Sequence, residues 1–222
     1  NSTTCLGLLS LAVTRFGLRC ADIAYIKPVT QCEAETDVAR WCRLNDVECV
    51  GIGPVVFRPG VTNAALSLPT AAAYSAHCAG LMDSVVEAVN DLRRRKTGLV
   101  VVDGVGYVSV GEVCGVGGRD VARALQLPVL LIAPPGLGDA IDTVAVMGSY
   151  FTSSFLRRSR DDDADAAASQ QHPNDSAHPR LLGFLQNRVS DTGRHKIAET
   201  TPLLQQFFNV LRPMNRGGHS WK

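Results

Sequence analysis

Apolar residues along the chain recur at two spacings, and the switches between them mark out the elements. Leu8, Leu9, Ala12, Val13 and Phe16 return at helical spacing, which predicts a helix from Thr4 to Phe16 with Ser2, Thr3 or Thr4 available to cap its amino end. Asp22 to Val29 reads as a strand through Ile23-Ala24-Tyr25-Ile26, closing at Lys27-Pro28 because proline restricts continuation. Glu35 to Leu44 predicts a short helix. Val47 to Pro69, punctuated by Gly51, Gly53, Pro54, Pro59 and Gly60, predicts a loop-rich stretch with one short strand at Pro54-Val55-Val56-Phe57. After Pro69-Thr70, the series Tyr74, Cys78, Leu81, Val85, Val89, Leu92 predicts a long helix closed by Arg93-Arg94-Arg95-Lys96, cations that suit a helix carboxyl end. Leu99-Val100-Val101-Val102 is a wholly apolar strand that stops at Asp103 and the turn Gly104-Val105-Gly106. A short helix is predicted at Arg119 to Gln126, a second apolar strand at Leu127 to Ala133 and a helix from Gly138 to about Phe151. A strand at Leu181 to Gln186 and a helix at Thr201 to Leu211 follow.

Continuous apolar strands, unlike alternating ones, imply a sheet covered on both faces, and helical crossovers between them imply parallel order. The expected fold is therefore α/β: a doubly wound, mostly parallel sheet with helices on both faces, built as a single domain over residues 1–222. Between Arg157 and Pro179 the composition turns to Arg-Arg-Ser-Arg, Asp-Asp-Asp and a mixture of Ala, Ser, Gln and His, which is expected to be a solvated, mobile insertion. Asp161 to Asp163 reads there as a solvated charge run, and Arg212 to Lys222 as a frayed tail.

Composition narrows the function classes mainly by exclusion. A chain of 222 residues that is 45% hydrophobic can bury a core without staples. With 22 basic and 21 acidic residues the net charge is +1, so no global field recommends nucleic acid or an acidic membrane as partner. The apolar run Cys5 to Val13 is too short for a span and has no basic leader, so it is expected to be neither anchor nor signal peptide. Seven scattered cysteines without a Cys-x-x-Cys pair fit reduced thiols and a cytoplasmic setting. His77, His172, His178, His195 and His219 have no ligand spacing.

The chemistry gathers at strand ends. Parallel strands place all their carboxyl termini on one edge, which collects Lys27, Asp103 with Gly104 and Gly106, the turn Pro134-Pro135-Gly136-Leu137-Gly138, and Asn187. Asp37 follows closely in Thr36-Asp37-Val38-Ala39. Two acids and a lysine describe a magnesium-phosphate site, since hard oxygen ligands suit the metal and an ammonium offsets phosphate charge. Each residue also has a plainer reading: Asp103 as a turn or helix cap, Lys27 as a solvated strand end, Asp37 as a surface helix residue, Asn187 as a strand terminator.

The ordered set Lys27-Pro28-Val29, Thr36-Asp37-Val38-Ala39, Asp103-Gly104-Val105-Gly106, Leu127-Pro128-Val129-Leu130-Leu131-Ile132-Ala133, Gly136-Leu137-Gly138 and Asn187-Arg188-Val189 resembles the dethiobiotin synthetase-like branch of the P-loop NTPases. That branch also includes the ATP domains of cobyrinic acid amidases and the amino-terminal domain of long phosphotransacetylases. The resemblance implies ATP and Mg2+ as cofactors, a small-molecule carboxylate or amine substrate, a homodimer, and phosphorylation of a carboxylate or carbamate ahead of carbon–nitrogen bond formation. Carried over by position, Lys27 would be catalytic, contacting the reacting phosphate or substrate. Asp37 and Asp103 would hold magnesium, Gly104, Gly106 and Gly136 would line the nucleotide, and Asn187 would read the adenine. Asp103 stands where dethiobiotin synthetases usually carry glutamate.

The departure from the family is at the start. Its phosphate loop, G-x-x-x-x-G-K-[ST], precedes helix one, whereas here Asn1-Ser2-Thr3-Thr4 opens the chain without a lysine. One register puts Ser2 at the lysine position and Thr3 at the magnesium-binding hydroxyl; a one-residue slip puts Asn1 and Ser2 there, and Ser2, Thr3 and Thr4 together would line the phosphates. A first strand and phosphate loop are accordingly expected ahead of Asn1. Two readings stay open: an ATP-dependent ligase-like enzyme, and a non-catalytic nucleotide-binding or regulatory domain with a degenerate phosphate loop.

Overall fold

In the computed structural model, which describes residues 2–31, 34–152, 179–193 and 196–211, the tetrapeptide Ile23–Ile26 (β1) is the centre of a parallel three-stranded sheet. Its neighbours are β3 (Glu48–Val50), with Tyr25 opposite Cys49, and β5 (Leu99–Val102), with Ile26 opposite Val102. All four residues of β1 are buried, as a central apolar strand requires. β5 is half-buried along its length, and its second edge pairs with no other described strand.

Two helices close over this sheet. α1 (Ser2–Thr14) buries Cys5, Leu9 and Ala12, and α2 (Asp37–Leu44) buries Val38 and Cys42. Cys5, Leu9, Val38 and Cys42 pack with Ile23 and Tyr25 into one core, with Trp41 and Cys49 at its margin. Each fully buried Leu, Ile or Val there is worth about 1.5–3 kcal/mol relative to exposure. Phe16, expected on the buried face, is exposed instead: α1 ends at Thr14, Gly17 turns left-handed at φ 66°, and the Leu18 N–H reaches back to the Ala12 carbonyl at 2.9 Å. α2 starts where the sequence indicates, with the Thr36 hydroxyl accepting from the Ala39 N–H at 3.3 Å.

The strand expected over 22–29 is interrupted. Lys27 still donates its N–H to Val50 at 3.0 Å, but Pro28 has no N–H, and its carbonyl accepts from Val55 at 3.2 Å. The chain thus exchanges one partner strand for another at the proline and continues as β2 (Val29–Thr30), parallel to β4 (Val55–Val56). Two elements emerge from the region read as loop-rich: β3, which carries a glutamate and a cysteine among its three residues, and α3 (Val61–Leu66), which starts at Gly60 without a side-chain cap. The long helix is α4 (Ala71–Arg95), capped by Thr70 and burying Cys78, Val85, Val89 and Leu92 on the predicted stripe. α5 (Gly118–Ala124) completes the first of two compact units, Asn1–Gln126.

In the second unit, Leu127–Lys222, β6 (Val129–Ala133) and β7 (Leu181–Gln186) pair in parallel. α6 (Leu137–Thr152) buries Ala140, Val144, Gly148 and Phe151. α7 begins at Ile197, four residues earlier than expected, holds Pro202 inside its Ile197–Gln206 span and relaxes into a π-type turn at Phe207–Leu211. The expected insertion lies, apart from Pro179, outside the described residues, as does the expected tail. The architecture is mixed α/β, with short parallel sheets and helices; the described strands form three separate groupings of three, two and two, where one continuous doubly wound sheet was expected.

Candidate functional site

At the carboxyl end of the central sheet, the side chains converge on Asp103. Its N–H continues the ladder, bonding to the Ile26 carbonyl at 2.8 Å, which fixes the carboxylate just past the last β5 residue and beside the end of β1. Oδ2 accepts three hydrogen bonds: from Ser2 Oγ at 3.0 Å, from Tyr25 OH at 2.7 Å and from Lys27 Nζ at 3.1 Å. The carboxylate is 1% exposed, and its other oxygen, Oδ1, is buried with no hydrogen-bond partner. A buried carboxylate oxygen left without a donor is costly, so this atom asks for a cation or a donor that the described residues do not supply.

The partners come from three different elements. Tyr25 and Lys27 are two residues apart on one extended segment and so point to the same face. Ser2 opens α1, whose amino end carries partial positive charge next to the acid. Lys27, almost fully buried, also lies 3.5 Å from the Gly104 carbonyl. Burial, then the charge of Asp103, pushes the Tyr25 hydroxyl far up, so it remains a donor. Burial and the same carboxylate push the Cys5 thiol up to about 12, leaving it protonated and unreactive.

The backbone around the cluster is shaped by glycine at one position above all. A Cβ at Gly53 would lie 2.2 Å from the Lys27 carbonyl and 2.5 Å from that of Pro28, so only glycine lets this loop pass behind the lysine. Gly104 and Gly106 are different: both are exposed, neither adopts a positive φ, and a Cβ on either would meet nothing within 4 Å. Their missing side chains answer no need of the protein's own packing.

The structure brings Ser2, Lys27 and Asp103 into direct contact among the residues singled out from the sequence. Of the two amino-terminal registers, only the one with Ser2 at the hydroxyl position brings a hydroxyl to Asp103; Thr3 is exposed. Thr4 Oγ1 is buried without a hydrogen-bond partner in the same helical turn. Asp37 stands exposed in the first turn of α2, where a carboxylate favours the helix dipole. Gly136 and Asn187 belong to the second unit. The Gly136 carbonyl accepts from the Ala140 N–H at 2.8 Å at the start of α6, and Asn187 Oδ1 accepts from the Arg188 N–H at 2.9 Å in a tight turn after β7.

Sequence reasoning passed over Tyr25 and Gly53. Tyr25 had a signal, being the one polar-tipped side chain in the buried strand and in phase with Lys27. Gly53 had none, because its role depends on which backbone runs behind it. Among the described residues, no group of three or more His, Cys, Asp or Glu side chains could hold a metal. No helix among them is long and apolar enough to cross a membrane. Comparison with protein-family models, curated proteins and solved structures found no match.

Proposed function

We propose that the Asp103 cluster binds Mg-ATP, in a domain resembling dethiobiotin synthetase that activates a carboxylate or carbamate by phosphoryl transfer. One observation carries the reading: a fully buried carboxylate beside a helix amino end and a lysine, with one oxygen unpartnered among the described residues and the exposed glycines Gly104 and Gly106 following it in the chain. Magnesium fits a site with a single protein carboxylate, because it keeps several waters and shares its remaining positions with phosphate oxygens. Asp103 Oδ1 would hold it, and the ion would offset charge on the transferring phosphate. Ser2 and Tyr25 keep the carboxylate oriented through Oδ2. In the reaction proposed, a substrate oxygen takes the γ-phosphoryl group while the bond to ADP breaks, and an amine then displaces phosphate.

A second reading is favoured by a specific feature: Lys27 is committed to the ion pair with Asp103. On that reading the site binds nucleotide without turnover. A charge-assisted bond to phosphate is worth about 1.5–3 kcal/mol, so its loss weakens phosphate grip by roughly tenfold to a hundredfold.

Titration calorimetry tests the proposal. Heat on adding Mg-ATP, lost in Asp103→Asn and in Lys27→Ala while far-UV circular dichroism is retained, is the expected result. Absence of heat at millimolar Mg-ATP, or equal heat with folded Asp103→Asn, would overturn it. Binding with no phosphoryl transfer to any carboxylate or carbamate offered decides for the second reading.

A further inference from the structure

Around Asp103 one positive charge already answers one negative charge. Among the described residues, Lys27 is the one cationic side chain hydrogen-bonded to the carboxylate, at 3.1 Å on Oδ2, and both side chains are buried, so water screens the pair little. The unpartnered oxygen, Oδ1, belongs to the same carboxylate. A divalent ion held there at the usual distance of about 2.1 Å would stand roughly 4–6 Å from the ammonium, close enough for strong repulsion in a poorly screened setting. Lys27 therefore completes one oxygen of the acid and opposes the ion that the other oxygen would take.

We propose that Lys27 gates the metal position: paired with Asp103 it turns away a free divalent cation, and the cation enters only together with an anion that takes over the ammonium. The class of that anion, a nucleotide phosphate, rests on the function proposed above; the exclusion of free metal does not. The lysine has a second direction to face. Its Nζ lies 3.5 Å from the Gly104 carbonyl, and Gly104 is exposed, with nothing within 4 Å of where its Cβ would stand. A phosphate oxygen arriving beside Gly104 can accept from the ammonium. When the ammonium turns, Ser2 and Tyr25 still donate to Oδ2 and keep the carboxylate in place. The backbone stays fixed as well, because the Lys27 N–H is bonded to Val50 and the Gly53 loop runs close against its carbonyl, so the exchange is confined to one side chain.

A purely structural ion pair behaves differently. Breaking it would loosen the cluster and weaken uptake of metal and of metal-nucleotide alike. A gate makes the two respond in opposite directions.

The test measures Mn2+ retained by the full chain in equilibrium dialysis, alone and with ATP, Mn2+ being a probe that oxygen sites for magnesium accept. The variants are Lys27→Met and Lys27→Gln, the second keeping a neutral donor for Oδ2 on a stem one atom shorter. Wild type should retain Mn2+ with ATP and hold it at least tenfold more weakly without. In either folded variant, Mn2+ alone should bind at least tenfold more tightly than in wild type and the Mn2+–ATP complex more weakly, and adding Asp103→Asn should remove the gained site. Folded variants that bind Mn2+ alone no better than wild type, or a gain that survives Asp103→Asn, overturn the gate. Should neither variant fold, wild type decides: retention of Mn2+ only with ATP supports the gate, and equal retention with and without ATP, or none in either case, overturns it. Tighter binding of Mn2+ alone in the variants with no ATP uptake by wild type would leave the exclusion of free metal standing and end the nucleotide reading.

Discussion

Replacing Lys27 by methionine removes a charge and little volume, and its cost follows from what it strands. The ammonium is 3.1 Å from Asp103 Oδ2, and the two side chains are 9% and 1% exposed. Methionine can refill the space of the stem, so packing is largely conserved. What remains is a buried carboxylate with Ser2 and Tyr25 as neutral donors and no counter-charge. Breaking one partner from such a pair costs about 3–5 kcal/mol, a large share of the 5–15 kcal/mol that typically separates folded from unfolded chains. Asp103→Asn should cost a comparable amount, because it leaves the ammonium with neutral acceptors, such as the Gly104 carbonyl at 3.5 Å, and no counter-charge. The double variant loses both charges at once, so its cost should fall short of the sum by about 2 kcal/mol or more. Urea unfolding read by Trp41 fluorescence, in a Trp221→Phe background, measures this, since Trp41 packs against the core that holds Tyr25. A Lys27→Met cost below about 0.5 kcal/mol, or a double variant whose cost is additive within that margin, would refute the argument that a desolvated ion pair anchors this edge.

Two further outcomes follow from other contacts. Gly53→Ala should destabilise by at least the 1–3 kcal/mol usual for overpacking, because its Cβ meets backbone that cannot step aside, and Mg-ATP heat should weaken with it as Lys27 is displaced; denaturant midpoints and calorimetry on the same sample check both. Glu48 has its carboxyl held below the usual range by hydrogen bonds from Lys96 and then Arg95. Because its folded-state value is depressed, its contribution is fully present above the unfolded carboxylate value near 4.3 and is lost as pH falls through the folded one. Glu48→Gln should therefore lower stability at pH 7 by only a fraction of a kcal/mol, as the pair is partly exposed, and leave it unchanged in strong acid; a difference that grows on acidification would reverse the sign of the argument.

Most of the elements were legible in the chain because their signals are local. The stripe Cys78, Val85, Val89, Leu92 with Thr70 before it and three arginines after it specifies α4 almost alone. Ile23–Ile26 and Leu99–Val102 announce themselves as strands by continuous apolar character, and Asp103 and Lys27 by standing at their ends. β3 and α3 were hidden because each is short and owes its form to a neighbour: β3 to its ladder with β1, α3 to the turn at Gly60.

The sequence by itself therefore determined most of the helical and extended segments, β3 and α3 apart, and which charged groups end the strands, since those follow from periodicity, capping and proline over a few residues. Only the tertiary structure decided that Ser2, Tyr25 and Lys27 all donate to the same oxygen of Asp103, and that Gly53 must lack a side chain. The physical reason is range. A hydrogen bond between residues 76 or 101 positions apart is set by strand register and helix docking, which no local pattern encodes.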